Sequence, residues 1–159
     1  MVAYVPPPAA ALSILYLDET MLVLDKPSGL LSVPGRGADK ADCLASRVQA
    51  EYPDVKGWIS IPGTCVDYPV LQSSADNPEY YLRRTYKGEH RTAGSIFFQW
   101  DCSPESRNLV VYGHNMSDGT MFAVLQKMAD EAFRTEHSKI LLQTSDGLWE
   151  YRIAAVLKT

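Results

Sequence analysis

Gly113-His114-Asn115 follows directly on the apolar run Leu109 to Tyr112, and chemistry is best prepared at this point in the sequence. An imidazole changes charge near neutrality, so it can act as general acid or base toward a thiol or an amine. A thiolate partner would complete a nucleophilic pair. Three cysteines are present, Cys43, Cys65 and Cys102. Their spacing fits neither a zinc ribbon nor a C-x-x-C redox pair. The odd count fits poorly with a disulfide framework. Cys102 lies in a loop ahead of the His114 strand and reads as an adventitious thiol. Cys65, beside the Gly63-Thr64 turn, and Cys43 read as small structural residues. His90 and His137 lie in polar stretches and read as surface residues. No metal and no cofactor is expected.

The elements that must position His114 can be read from periodicity. Asn108 to Tyr112 and Gly94 to Phe98 read as two buried strands. The run 58–72 alternates around Pro62-Gly63 and predicts a hairpin. Asp76-Asn77-Pro78 opens a short helical or turn segment through Leu82. Thr120 to Ala132 predicts a helix, with Met121, Phe122, Leu125 and Met128 on one face. Lys139 to Thr144 and Leu148 to Val156 predict two strands joined at Ser145-Asp146-Gly147. The second of these runs close to the end of the chain, which predicts an open sheet edge and marginal stability.

The first third has a different texture. Residues 1–11 are rich in Pro and Ala and read as a loose arm. Ser13 to Asp25 reads as two short strands around the break Asp18-Glu19-Thr20. Lys26-Pro27-Ser28-Gly29 and Pro34-Gly35-Arg36-Gly37 are turn sequences. Asp42 to Tyr52 predicts an amphipathic helix with Asp42 as N-cap and Pro53 as its stop.

Composition narrows the function classes. The net charge of −4 lacks the basic field of a nucleic-acid binder. Arg83, Arg84 and Lys87 form a small basic group that reads as a solvated face, and Lys26 as the cap of a turn. The apolar run 2–17 is too short and too broken by Pro6-Pro7-Pro8 to span a bilayer, and it lacks the marks of a signal peptide. As read, such a chain would remain in the cytoplasm.

Two resemblances meet near residue 55. The segment 12–54 resembles the N-terminus of RluA-type pseudouridine synthases, through Ile14-Leu15-Tyr16, Asp18-Glu19, Val23 to Gly35 and Arg47 to Pro53. That family's catalytic aspartate belongs to an H-R-L-D motif. Lys56-Gly57-Trp58-Ile59 stands here instead, and Asp54 does not replace it. The segment 55–159 resembles class B sortases, through Gly57-Trp58-Ile59, Ile61-Pro62-Gly63-Thr64, Val66 to Gln72, Asp76-Asn77, Tyr81-Leu82, Gly94 to Phe97, Asn108 to Met116 and Gly119 to Phe122. Gln99 falls where an acidic residue is frequent in that family and reads as peripheral variation.

The sortase resemblance implies a mainly β fold with short helices (α+β), here a small β-rich leader, 1–54, and an incomplete sortase-type β-barrel, 55–159. It implies a cysteine transpeptidase that cleaves a sorting signal, often of NPxTx type, and passes the acyl group to a cell-wall or pilin amine. Such enzymes are anchored at the surface of Gram-positive cells. The partners would be a sorting-signal peptide of a surface protein and an amine acceptor. His114 maps onto the family's catalytic histidine, and Asn77 and Leu82 map onto its substrate groove. The family's T-L-x-T-C-like cysteine motif and the following arginine have no match, so the domain is expected to be C-terminally incomplete and inactive by itself. Asn77 can equally be a turn residue, and Leu82 a core leucine. Tyr80, Tyr81 and Tyr86 read as packing residues with wet hydroxyls. Two other readings remain open: a fragment of an RNA pseudouridine synthase, and a peptide-binding remnant without catalysis.

Overall fold

Apolar alternation in the sequence gives rise to short strands, and the computed structural model describes residues 4–17, 22–33 and 35–157. It divides into two units, Met1–Pro53 and Asp54–Thr159.

In the first unit, strands β1 (Ser13–Leu17) and β2 (Leu22–Asp25) pair antiparallel. The break expected at residues 18–20, together with Met21 and Pro34, lies outside the described residues. The turn after β2 closes as expected, with Leu30 N–H donating to the Pro27 carbonyl at 3.2 Å and Gly29 at a φ of 80°. Lys26 caps it through Nζ to the Leu30 carbonyl at 2.7 Å.

Helix α1 (Leu44–Glu51) starts later than predicted, and its N-cap is Cys43 rather than Asp42. Cys43 and Ser46 exchange the two bonds of a capping box. The Asp42 carboxylate instead meets Arg47 Nε at 2.8 Å, and that hydrogen bond holds its pKa below the usual carboxylate value. The arm is not wholly loose either. Arg47 Nη2 donates to the Pro7 carbonyl at 2.7 Å, and the Tyr4 hydroxyl donates to the Asp42 carbonyl at 3.0 Å.

The second unit holds one sheet of six strands: β3 (Val55–Ser60), β4 (Asp67–Gln72), β5 (Ile96–Phe98), β6 (Val111–Tyr112), β7 (Lys139–Thr144) and β8 (Gly147–Arg152). Their order is β6-β5-β4-β3-β7-β8. The sheet is open, with β6 and β8 at its two edges. Among the described residues only β4 and β5 run parallel, Val70 facing Ile96 and Gln72 facing Phe98. A parallel pair needs a crossover, and residues 73–95 supply it. Pro69 lacks an N–H for a ladder, and the pairing with β5 begins one residue after it.

The core lies on both faces of this sheet. Ile59, Ile61, Val66, Val70, Ile96, Phe98, Met121, Met128 and Leu142 fill one side. Leu71, Tyr81 and Phe97 fill the other. Consecutive residues of a strand point to opposite faces, so Phe97 and Phe98 serve different cores.

Three expectations need correction here. β6 has two residues and is not buried, because Tyr112 leaves its ring partly in solvent. The helix predicted over 120–132 is broken. A 3-10 segment, Ala123–Ala129, ends at Asp130, which turns extended and caps α2 (Glu131–Glu136) through Phe133 N–H at 2.8 Å. The asparagine-like preference of Asp for caps overrides the apolar stripe at that point. The last strand stops at Arg152, and residues 153–157 are not in a strand.

Candidate active site

His114 is placed by the edge of the sheet. β6 pairs with β5, Phe97 facing Tyr112 and Phe98 facing Val111, so the chain leaves the sheet two residues before the imidazole. Gly113 is pinched at this exit. A Cβ there would overlap Ile96 Cδ1 and lie 2.6 Å from Phe122 Cδ2, so a side chain at 113 must displace those two side chains. The loop then returns on itself: Phe122 N–H donates to the His114 carbonyl at 2.9 Å, and Asn115 bridges Met121. Met121 adopts a φ of 54°, which a non-glycine residue reaches only at a cost. It is held there by burial and by its N–H bond to the Tyr68 hydroxyl at 3.1 Å. Asp118 accepts from Thr120 N–H and Oγ1 within the same loop, and those bonds keep its pKa below the usual carboxylate value.

The crossover meets this loop. Its 3-10 segment, Tyr80–Arg83, presents the Leu82 carbonyl to His114 Nε2 at 2.8 Å. A carbonyl oxygen can only accept, so the proton of this bond resides on Nε2. Tyr81 anchors the segment from beneath. Its hydroxyl donates to Asp54 Oδ2 at 2.6 Å, so it is not a wet hydroxyl as the sequence suggested. Burial first, then that bond and the Asp54 charge, push the Tyr81 pKa far above the usual phenol value.

A cavity of about 350 Å³ opens beside this junction, lined by Pro78, Glu79, Leu82, Phe97, Gln99, Trp100 and Tyr112. Leu82 thus faces both the cavity and, through its backbone, the imidazole. Asn77 is exposed and does not line the cavity, while its neighbour Pro78 does. Its N–H bonds to the Ser74 carbonyl at 3.2 Å, the turn role that the sequence left open. Gln99 Oε1 accepts from the Tyr112 hydroxyl at 2.9 Å, and both residues line the cavity. Sequence reasoning did not place Tyr112 and Trp100 at this cavity. The one available signal was an aromatic two residues before the histidine at a strand end.

Gly113 also borders a larger hollow of about 730 Å³ of mixed lining, with Asn115 and Gln126 beside Phe122, Leu125, Met128 and Ile140.

The three thiols have partners of their own. Cys43 is buried as the cap of α1, Cys65 Sγ contacts the Gly119 carbonyl at 3.2 Å, and Cys102 Sγ lies 3.7 Å from Asp101 Oδ1. Among the described residues none of them is hydrogen-bonded to His114. No group of three His, Cys, Asp or Glu side chains among those residues is placed to hold a metal. His137 is not a plain surface residue: Nδ1 lies 3.0 Å from the Pro62 carbonyl, and its ring packs 4.3 Å from that of Phe133. His90 is exposed, bridging Arg84. Arg84 also stacks 4.9 Å above the Tyr80 ring, and Arg83 and Arg84 donate to the Thr92 and Gly88 carbonyls.

A curled, mainly β sheet that carries a histidine just beyond an edge strand defines a recognisable class, and the comparisons identify it. Residues 59–159 match the family profile described as Sortase domain. The chain belongs to the sortase family. It is 38% identical over 145 residues to sortase B of Listeria monocytogenes, covering 90% of this chain and 56% of that protein. A solved Staphylococcus aureus sortase B–substrate complex is similar at a TM-score of 0.62 and 31% identity, covering 67% of this chain and 50% of that one. The chain spans about half the length of the curated sortases it matches. A shorter match joins 35% of the chain to the RNA pseudouridine synthase RluA of Vibrio parahaemolyticus, at 48% identity over 56 residues and 22% of that protein. Among the described residues no helix is long and apolar enough to cross a membrane.

Proposed function

We propose that residues 55–159 are the histidine-bearing, peptide-holding part of a sortase-type cysteine transpeptidase, and that residues 1–54 form a separate RluA-like segment. The observation that carries this reading is the contact between His114 and the Leu82 carbonyl at the rim of the 350 Å³ cavity. In this reading the cavity takes part of a sorting-signal peptide, of NPxTx type, with Leu82 and Tyr112 as apolar walls. Asn77 lies at its approach, beside Pro78. His114 gives a proton to the leaving amine as a cysteine thioester forms, and takes one from the incoming amine as the thioester is consumed. Surface attachment of the working enzyme, and an amine of the cell wall or a pilin as acceptor, belong to the same proposal.

Residues 1–159 by themselves are expected to bind such a peptide without turning it over, since no thiol is bonded to His114. The test is fluorescence anisotropy with a labelled NPxTx peptide, alongside mass spectrometry after incubation with an amine. Saturable binding that weakens at least tenfold in Leu82→Ala and Tyr112→Ala is the expected result. Absence of binding would remove the peptide-holding role. A transpeptidation product lost in His114→Ala would overturn the expected inactivity, and its further loss in Cys102→Ala or Cys65→Ala would identify the sulfur.

A further inference from the structure

The backbone of the crossover directs its carbonyls in two directions. The Tyr81 carbonyl accepts from Ser95 N–H at 2.9 Å, and the Arg83 carbonyl accepts from Arg91 N–H at 2.9 Å. Between them the Leu82 carbonyl accepts from His114 Nε2 at 2.8 Å. The flanking bonds tie residues 81 and 83 to the returning segment of the crossover, and the Tyr81 hydroxyl is held by Asp54. The orientation of the Leu82 peptide is therefore set before the imidazole reaches it.

Gly94 lies against this peptide. Its φ is 60°, in the left-handed region, and a Cβ on it would overlap the Leu82 and Tyr81 carbonyl oxygens and lie 2.6 Å from Leu82 C. All three are backbone atoms, which cannot swing aside as a flexible side chain would. Any side chain at residue 94 must displace the peptide that holds His114. By contrast, Gly119 has a φ of 87° and would meet nothing with a Cβ. The left-handed backbone alone thus explains Gly119, while Gly94 also needs empty space on its Leu82 side.

We propose that Gly94 is a positioning residue for His114. Lacking a side chain, it lets the Leu82 carbonyl reach the imidazole. That carbonyl then holds the neutral ring with hydrogen on Nε2 and the lone pair on Nδ1. Nδ1 is the nitrogen left to exchange a proton with thiol or amine, and Nε2–H stays in the bond to Leu82 throughout. The catalytic meaning of this arrangement rests on the function proposed above. The tautomer itself does not, so it is measured without turnover or peptide.

The experiment is a long-range proton–nitrogen correlation of His114 in the 15N-labelled chain, at a pH where imidazoles are neutral. The wild type is expected to show one protonated nitrogen, Nε2, and one unprotonated, Nδ1. Gly94→Ala, and Gly94→Asn, whose side chain tolerates left-handed backbone better, are expected to shift both resonances toward the averaged values of a free imidazole. Gly119→Ala is expected to keep the wild-type pattern. A wild-type ring with hydrogen on Nδ1, or averaged resonances, overturns the proposal. An unchanged His114 in a folded Gly94 variant overturns it as well. Loss of folding in both Gly94 variants, with Gly119→Ala folded, would make Gly94 a folding residue only and also reject the positioning role. Loss of peptide binding with the tautomer intact would sink the proposed function and leave this inference standing.

Discussion

Strands β5 and β8 belong to one sheet but have opposite surroundings. Ile96, Phe97 and Phe98 of β5 are almost fully buried, and their side chains supply two cores on opposite faces. Leu148, Trp149 and Tyr151 of β8 are 62%, 51% and 43% exposed, and among the described residues β8 pairs with β7 alone. β5 sits between a parallel and an antiparallel neighbour, whereas β8 is held by the local hairpin at Gly147. Burial in this sheet therefore follows strand position rather than the hydrophobicity of the strand. The candidate site stands at the β6 edge, next to buried β5, where the loop after β6 meets the crossover before β5.

The sharpest way to break this contrast is to remove a large side chain from each region. Phe98→Ala is expected to cost about 3–5 kcal/mol in urea-induced unfolding, because the cavity left behind cannot collapse between two paired strands. A cost below about 1 kcal/mol would show that the centre of the sheet is loosely packed. Gly113→Ala comes next. Its Cβ must push Ile96 and Phe122 apart, and a loss of about 1–3 kcal/mol is expected from overpacking.

Tyr81→Phe removes the bond to Asp54 and is expected to cost about 1 kcal/mol at neutral pH, since the Asp54 carboxylate can return to water. Its pH dependence is more telling. The folded chain keeps the Tyr81 proton where the unfolded chain loses it, so the wild type loses stability as pH rises above about 10. The variant is expected to show a shallower alkaline slope, and equal slopes would rule out Tyr81 as the source. The smallest effect is expected at the other end of the sheet. Trp149→Ala should change stability by no more than about 0.5 kcal/mol, and β8 amides should exchange with solvent well before those of β5.

Much of this arrangement was legible in the residues. Alternation around Pro62-Gly63 and the apolar run before Gly113 placed β3, β4 and the histidine. What escaped was set by tertiary partners. Cys43 displaced Asp42 as the cap because Arg47 captured the aspartate. The stripe of Met121, Phe122, Leu125 and Met128 pointed to one helix, but Met121 is needed in a left-handed conformation to close the His114 loop. The contact of Gln99 with Tyr112, thirteen residues away, was out of view because only the β5–β6 pairing brings the two together. The Leu82–His114 contact had no sequence signature, since a backbone carbonyl is present at every residue.

The crossover also bears on the order in which the chain assembles. A hairpin such as β3–β4 or β7–β8 joins neighbours in sequence, but the β4–β5 register must close a long excursion before it gains its first bond. His114 meets Leu82 only after that closure. The imidazole contact is therefore expected to form after the two hairpins but before the β3–β7 pairing of Gly57 with Thr144, which closes a longer loop still, so the His114 resonance would report closure of the crossover.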